Sequence, residues 1–244
     1  MRVKRRSSSE NEVKPIVDYT PSFLHRGNLR EVVIVLACLS ALFQPIDLAG
    51  ILISFFLLAL GSFIHFISKG ILIRSELTNS GIYALVRHPY YMASYLIDLS
   101  FCLLSSNVYL LVVYPFLFFW TYGYTLRKED ELLSKLHPDT FFPYLTEVPS
   151  VFPDAQSVKG SRQIFDGFSI RRVSKKEVAR LLRYWGTALL IVFLHGIIHK
   201  GPGGFTFQFD LNRWETWTIL GLMVILYLSN FILLWSSKKF GRQF

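Results

Sequence analysis

Two stretches of this 244-residue chain carry side chains whose types and spacing suit chemistry. The first runs from Leu77 to Tyr91 and holds Tyr83, Arg87, His88, Pro89 and Tyr91. Asn79-Ser80-Gly81 is a turn signal. Pro89 suits the first turn of a helix, where a missing N–H costs nothing. The free N–H groups of a helix start beside Arg87 and His88 make an anion site. The plainer reading is that Arg87 snorkels and the tyrosines form an aromatic belt. The second stretch is Arg127-Lys128-Glu129-Asp130-Glu131-Leu132-Leu133. Three successive acids on a helix are ordinarily a solvated face. No metal site is expected. Cys38 and Cys102 lie inside apolar blocks and offer no disulfide framework.

The elements that must position these residues are apolar. Hydrophobic residues make up 52% of the chain, and charged residues 18% against about 25% in an average soluble domain. The apolar residues come in long blocks, which excludes a disordered chain and argues against a water-soluble globule. Between Glu31 and Lys69 the only formal charge is Asp47. That block is too long for one span of about 20 residues and suits a hairpin turning at Gln44-Pro45-Ile46-Asp47, with Pro45 opening the second helix. The first span is short unless it borrows Asn28 to Glu31 or runs past Pro45. A second hairpin runs from Tyr90 to about Leu126, turns at Ser105-Ser106-Asn107 and holds one charge, Asp98. A third pair, Tyr184–Ile198 and Trp214–Trp235, flanks a loop from Lys200 to Arg213. The expected fold is an all-α polytopic membrane protein of about six transmembrane helices.

Of the 26 Lys and Arg residues, 24 fall on one side of this arrangement. The positive-inside rule then puts both termini in the cytoplasm. The net charge of +9 follows from that topology and from attraction to anionic lipid, so nucleic-acid binding is not expected. No secretory signal is read ahead of the first span, and Met1 to Asn11 reads as an interfacial tail. The expected divisions are a basic tail (1–31), a transmembrane hairpin (32–68), a core with both chemistry-bearing stretches (69–153), a basic segment lying on the anionic leaflet (154–183) and a final pair of spans (184–244). Lys175 to Arg183 reads as a helix running into the fifth span.

The third and fourth spans are antiparallel across a three-residue turn, so their cytoplasmic ends, near Tyr90 and Arg127, must be close. A basic and an acidic cluster then converge at membrane level, which suits a zwitterionic ligand. Together the two stretches resemble the membrane superfamily of isoprenylcysteine carboxyl methyltransferases and phospholipid N-methyltransferases. Its members carry Gly-Pro-Tyr-x-x-x-Arg-His-Pro-x-Tyr-x-Gly at a span entrance, and here Gly81 to Ala93 follows that pattern. After the next hairpin they carry Glu-Glu-x-x-Leu and then Pro- and aromatic-rich sequence. Here Glu129-Asp130-Glu131-Leu132-Leu133 leads to His137-Pro138, Phe141 to Tyr144, Val148-Pro149 and Pro153. The resemblance covers roughly residues 60 to 153. This chain departs at Ile82, Ala93, Asp130 and His137-Pro138. At Thr125 the isoprenylcysteine enzymes have an Arg implicated in holding the substrate carboxylate. Arg127 is two residues nearer Glu129 and projects from a different helix face.

The resemblance implies S-adenosylmethionine as cofactor, held at a site on the cytoplasmic side. Tyr83, Arg87, His88, Pro89, Tyr91, Glu129 and Asp130 are then the candidate cofactor residues. Glu129 or Asp130 suits the α-amino group or the ribose, Arg87 and His88 the carboxylate, and Tyr83 and Tyr91 the sulfonium or adenine. Asp98 and Arg127 are the candidate catalytic residues. Tyr91, Ser94, Tyr95 and Asp98 form one polar stripe on a helix. An ionisable residue in mid-span either serves a cavity or makes an interhelical hydrogen bond, and both readings stand for Asp98. His65 is a weaker case of the same kind, and His195 and His199 read as structural. The implied function is methylation of a lipidic or apolar small-molecule acceptor at O, N or S, with Thr125 weighing against carboxyl O-methylation. The competing readings are a non-catalytic six-span transporter or assembly protein, and a degenerate family member that binds the cofactor without turnover.

Overall fold

The computed structural model describes residues 26–73, 77–160, 163–198 and 213–240. The tail from Met1, His199 and most of the loop from Lys200 lie outside the described residues. The described chain is all-α: α1 (Arg26–Ala41), α2 (Leu48–Ile71), α3 (Pro89–Leu104), α4 (Val108–Leu136), α5 (Pro138–Glu147), α6 (Ala155–Gly160), α7 (Lys175–Ile198) and α8 (Trp214–Phe240). Four helices are long and apolar enough to cross a membrane: Leu48–Ile71, Val108–Leu136, Lys175–Ile197 and Trp214–Ser237. The expected number was six. The other two, α1 and α3, have 16 residues each, or about 24 Å at 1.5 Å per residue against a hydrocarbon core of about 30 Å.

The hairpins turn where expected, with one correction. Pro45 does not open α2. Asp47 is its N-cap, and its carboxylate accepts from Gly50 N at 2.8 Å. A short acceptor side chain satisfies a free N–H of the first turn, which a proline ring cannot do. α1 does borrow Asn28 to Glu31. The second hairpin turns at Ser105-Ser106-Asn107. Ser106 takes a positive φ of 53°, and the Asn107 side chain caps α4 by accepting from Leu110 N at 3.1 Å. α4 then continues without a break through the acidic triplet to Leu136. Lys175 to Arg183 forms the start of α7, as expected.

α2 and α3 lie very close. A Cβ on Gly61 would stand 2.8 Å from Ile97 Cγ1 and 3.0 Å from the Ala93 carbonyl oxygen. Small residues let backbones approach, and in lipid that packing takes the place of a hydrophobic driving force. α1 packs on α3, α4 and α7, so its buried face (Leu29, Val33, Ala37, Ala41) closes the bundle. On the far side His195 of α7 presents its two ring nitrogens to Gln44 O and Leu104 O, each at 2.6 Å. That joins the first turn to the end of α3, the structural role expected of it.

α8 packs mainly on α7, with Gly186 against the Tyr227 ring and Asn230 donating to Ala179 O. The crossing of these pairs makes the two antiparallel. Most of the remaining face of α8 is exposed and apolar, including Leu222, Ile225, Leu228 and Phe231.

Candidate functional site

The start of α3 and the end of α4 meet as their sequence requires. Gly81 opens a 3-10 turn at φ 59°, a conformation that disfavours any side chain. A Cβ there would also lie 2.7 Å from Asp166 O. The turn delivers Tyr83, Arg87 and His88 to the α3 N-terminus, where Pro89 occupies the first turn.

Each motif residue then has a defined partner. His88 Nε2 is 2.9 Å from Asp130 Oδ1, and its Nδ1 is 3.5 Å from Glu129 Oε2. Burial disfavours the imidazolium, but the hydrogen bonds to Asp130 and Glu129 and their charges outweigh it, so the His88 pKa rises above its ordinary value. Tyr91 Oη donates to Glu129 Oε1 at 2.5 Å. Burial, aided by the Glu129 charge, pushes the Tyr83 phenol up, so it stays neutral at physiological pH.

Arg87 is committed to the protein itself. Nη1 donates to Leu145 O at 2.9 Å and Val148 O at 2.6 Å, and Nη2 donates to Asp130 at 3.2 Å. Its Nε is buried without a hydrogen-bond partner. The backbone N–H groups of Arg87 and His88 donate to Pro149 O and Ser150 O, both at 2.9 Å. Tyr144 Oη donates to Tyr83 O at 2.7 Å. The Pro- and aromatic-rich segment is therefore helix α5 and its C-terminal extension, strapped across the first motif.

These residues line one side of a cavity of about 740 Å³. Tyr83, Arg87, His88, Pro89, Tyr91 and Glu129 all face it, whereas Asp130 stands behind Arg87 and His88. The opposite wall comes from residues that the motifs do not predict. α1 supplies Arg30 and Glu31, α2 supplies Lys69, and α7 supplies Glu177, Arg180, Arg183 and Tyr184. Lys69 Nζ sits 4.0 Å from the centre of the Tyr90 ring, and Glu177 Oε2 lies 2.9 Å from both His65 Nε2 and Arg180 Nη1. His65 thus anchors a carboxylate of the cavity wall from inside α2. The sequence signal for this wall was weak: charges at the starts of the first and fifth spans and at the end of the second.

The two candidate catalytic residues are placed differently. Asp98 is fully buried, pairs with Arg30 Nε and accepts from Tyr114 Oη at 3.1 Å. Arg30 also donates to Tyr184 Oη and to Ser94 O. Asp98 therefore reaches the cavity only through Arg30. Arg127 is exposed on α4, outside the cavity lining. No group of three or more metal-ligating side chains occurs among the described residues.

Fold and site together define an all-α, multi-pass membrane protein with a charged, aromatic-lined cavity at one end of its helices. Residues 46–140 match the family model described as phospholipid methyltransferase. The chain is also similar to a nickel-cobalt-cadmium resistance protein, NccN, of Alcaligenes xylosoxydans xylosoxydans. Identity is 29% over 79 residues, spanning 32% of this chain and 37% of the relative. No solved structure matches the chain.

Proposed function

We propose that the protein is a membrane-embedded, S-adenosylmethionine-dependent methyltransferase acting on a lipidic or apolar small-molecule acceptor. The observation that carries this reading is the Tyr91–Glu129 contact, which joins the two motif segments at one cavity inside the family-matched stretch. The residues suit such a cofactor. Glu129, with a side chain 42% exposed, offers a carboxylate for an amino group or ribose hydroxyls. Tyr83, Tyr91 and Tyr122 bring ring faces and edges for a sulfonium or an adenine. The cavity volume falls in the usual range for small-molecule sites, roughly 300–1,000 Å³.

S-adenosylmethionine, when bound, supplies a methyl group on a positively charged sulfur. The protein's part is positioning and the exclusion of water, as in-line displacement requires. His88, Pro89, Tyr83, Tyr91 and Glu129 are the proposed contact residues. Asp130 orients His88, and Arg87 holds the α5 strap. Asp98 acts as a positioning residue for Arg30, and Arg127 is left without a role in the reaction.

In this reading α1 and α3 cross the membrane with the four longer helices, giving six spans. Short spans are accommodated by local thinning of the bilayer. The cavity lies at the ends of α1, α2, α3, α4 and α7 that carry most of the positive charge, which supports a cytoplasmic cavity and cytoplasmic termini.

The test is calorimetric titration of detergent-purified protein with S-adenosylmethionine and S-adenosylhomocysteine, with Glu129→Ala as the control. Binding that Glu129→Ala loses, with the mutant still folded, is the expected result. Absence of binding by well-folded wild type would overturn the reading and move a transporter or assembly role to first place.

A further inference from the structure

We infer that Arg180 of α7, together with Lys69 of α2, forms an anion-binding subsite on the wall opposite Glu129, and that this subsite, not Arg87, takes the anionic group of a cavity ligand. The cofactor half of this inference rests on the methyltransferase reading.

Arg87 is poorly suited to that task. Its Nη1 is spent on two backbone carbonyls and its Nη2 faces Asp130. Turning the guanidinium toward a ligand would take their hydrogen bonds from the Leu145 and Val148 carbonyl oxygens and release the α5 strap. Arg30 is similarly committed, to Asp98, Tyr184 and Ser94 O.

Arg180 differs. It lines the cavity, and its hydrogen bonds are both made by Nη1, to Tyr90 Oη and to Glu177, each at 2.9 Å. Its Nε and Nη2 have no hydrogen-bond partner among the described residues. The pair on Nη1 fixes the fork in place, and a guanidinium held on one edge presents the other to a carboxylate or phosphate. Lys69 adds a second positive charge beside it, over the Tyr90 ring.

The local charge balance points the same way. Glu177 is the carboxylate shared by His65, Lys69 and Arg180, with its oxygens 2.9, 3.9 and 2.9 Å from them. Counted over the whole wall, Arg30, Lys69, Arg180 and Arg183 stand against Glu31, Glu177 and the Asp98 behind Arg30, an excess of positive charge. The Glu129 wall carries a carboxylate 42% exposed. A ligand bridging the cavity therefore meets a negative group on the α4 side and a positive one on the α2–α7 side.

Two sources can supply the anion: the carboxylate of the cofactor's amino-acid end, or the headgroup of an amphipathic acceptor. The experiment is calorimetry on detergent-purified full-length protein. S-adenosylhomocysteine, 5′-methylthioadenosine (which lacks the amino-acid end) and dodecyl phosphate are each titrated into wild type, Arg180→Gln and Lys69→Gln, with thermal unfolding as a check of folding. Arg180→Gln should weaken one anionic ligand roughly tenfold or more, in line with loss of a charge-assisted hydrogen bond. It should leave methylthioadenosine unchanged. Loss confined to S-adenosylhomocysteine assigns the subsite to the cofactor carboxylate, and loss confined to dodecyl phosphate assigns it to the acceptor headgroup. If Arg180→Gln does not fold, the same criterion applies to Lys69→Gln. Unchanged affinity for both anionic ligands, or an equal loss for methylthioadenosine, overturns the inference. Failure of wild type to bind S-adenosylhomocysteine would instead overturn the methyltransferase reading, and the dodecyl phosphate titration would still test the subsite.

Discussion

His88, at the mouth of α3, sits between two acids from the far end of α4, with Nε2 2.9 Å from Asp130 and Nδ1 3.5 Å from Glu129. Its folded-state pKa is raised because those partners outweigh the cost of burial. A raised pKa means that the stabilisation is full below the unfolded value of about 6.5 and is lost as pH rises through the folded value. The unfolding temperature of the purified protein should therefore fall as pH rises above about 6.5. His88→Gln should flatten that dependence. An unchanged slope in His88→Gln would mean that another group drives it.

Asp98 and Arg30 form a buried ion pair that links α3 to α1. Removing one member of such a pair strands the other charge, at a cost of about 3–5 kcal/mol. Asp98→Ala should unfold at a much lower temperature or fail to accumulate. The double variant Asp98→Leu/Arg30→Leu should recover much of the loss, because no lone charge remains. If the double variant is no more stable than Asp98→Ala, the pair is not the source of the effect.

Gly81 combines a φ of 59° with a Cβ position 2.6 Å from Ile71 Cδ1 and 2.7 Å from Asp166 O. Gly81→Ala adds left-handed strain of about 1–2 kcal/mol to a clash with backbone. A lower unfolding temperature and weaker S-adenosylhomocysteine binding are expected together, since the turn delivers Tyr83 to the cavity. Normal binding at full stability would show that the turn tolerates a side chain.

Tyr144 reaches from α5 to the Tyr83 carbonyl at 2.7 Å. Tyr144→Phe removes the donor and leaves that buried acceptor unpaired, a loss of about 1–3 kcal/mol. Protease cleavage within the 138–150 strap should accelerate in Tyr144→Phe relative to wild type. Equal cleavage rates would argue that the backbone bonds of Arg87 and His88 alone hold the strap.

Several elements were legible because their cause is local. Asn107 caps α4 from one residue before it, and Pro89 can only begin a helix. The apolar block from Val32 to Ser68 had to fold back because one helix of that length overshoots a bilayer. Even here the neighbouring signals misled at one point: Pro45 and Asp47 both mark a helix start, and the side-chain cap prevailed.

The sequence alone determined the membrane character, the turn positions and the meeting of the two motif segments, because each follows from composition, local capping or the geometry of one hairpin. Tertiary structure decided which charges face the cavity. Arg87 turned to carbonyls some sixty residues away, and Arg30 found Asp98 and Tyr184 on two other helices. The α2–α7 wall likewise joins His65 and Lys69 to Glu177 and Arg180. The physical reason is range: caps and hairpins are set by the nearest residues, whereas a buried charge takes whichever partner the packing of several helices brings within reach.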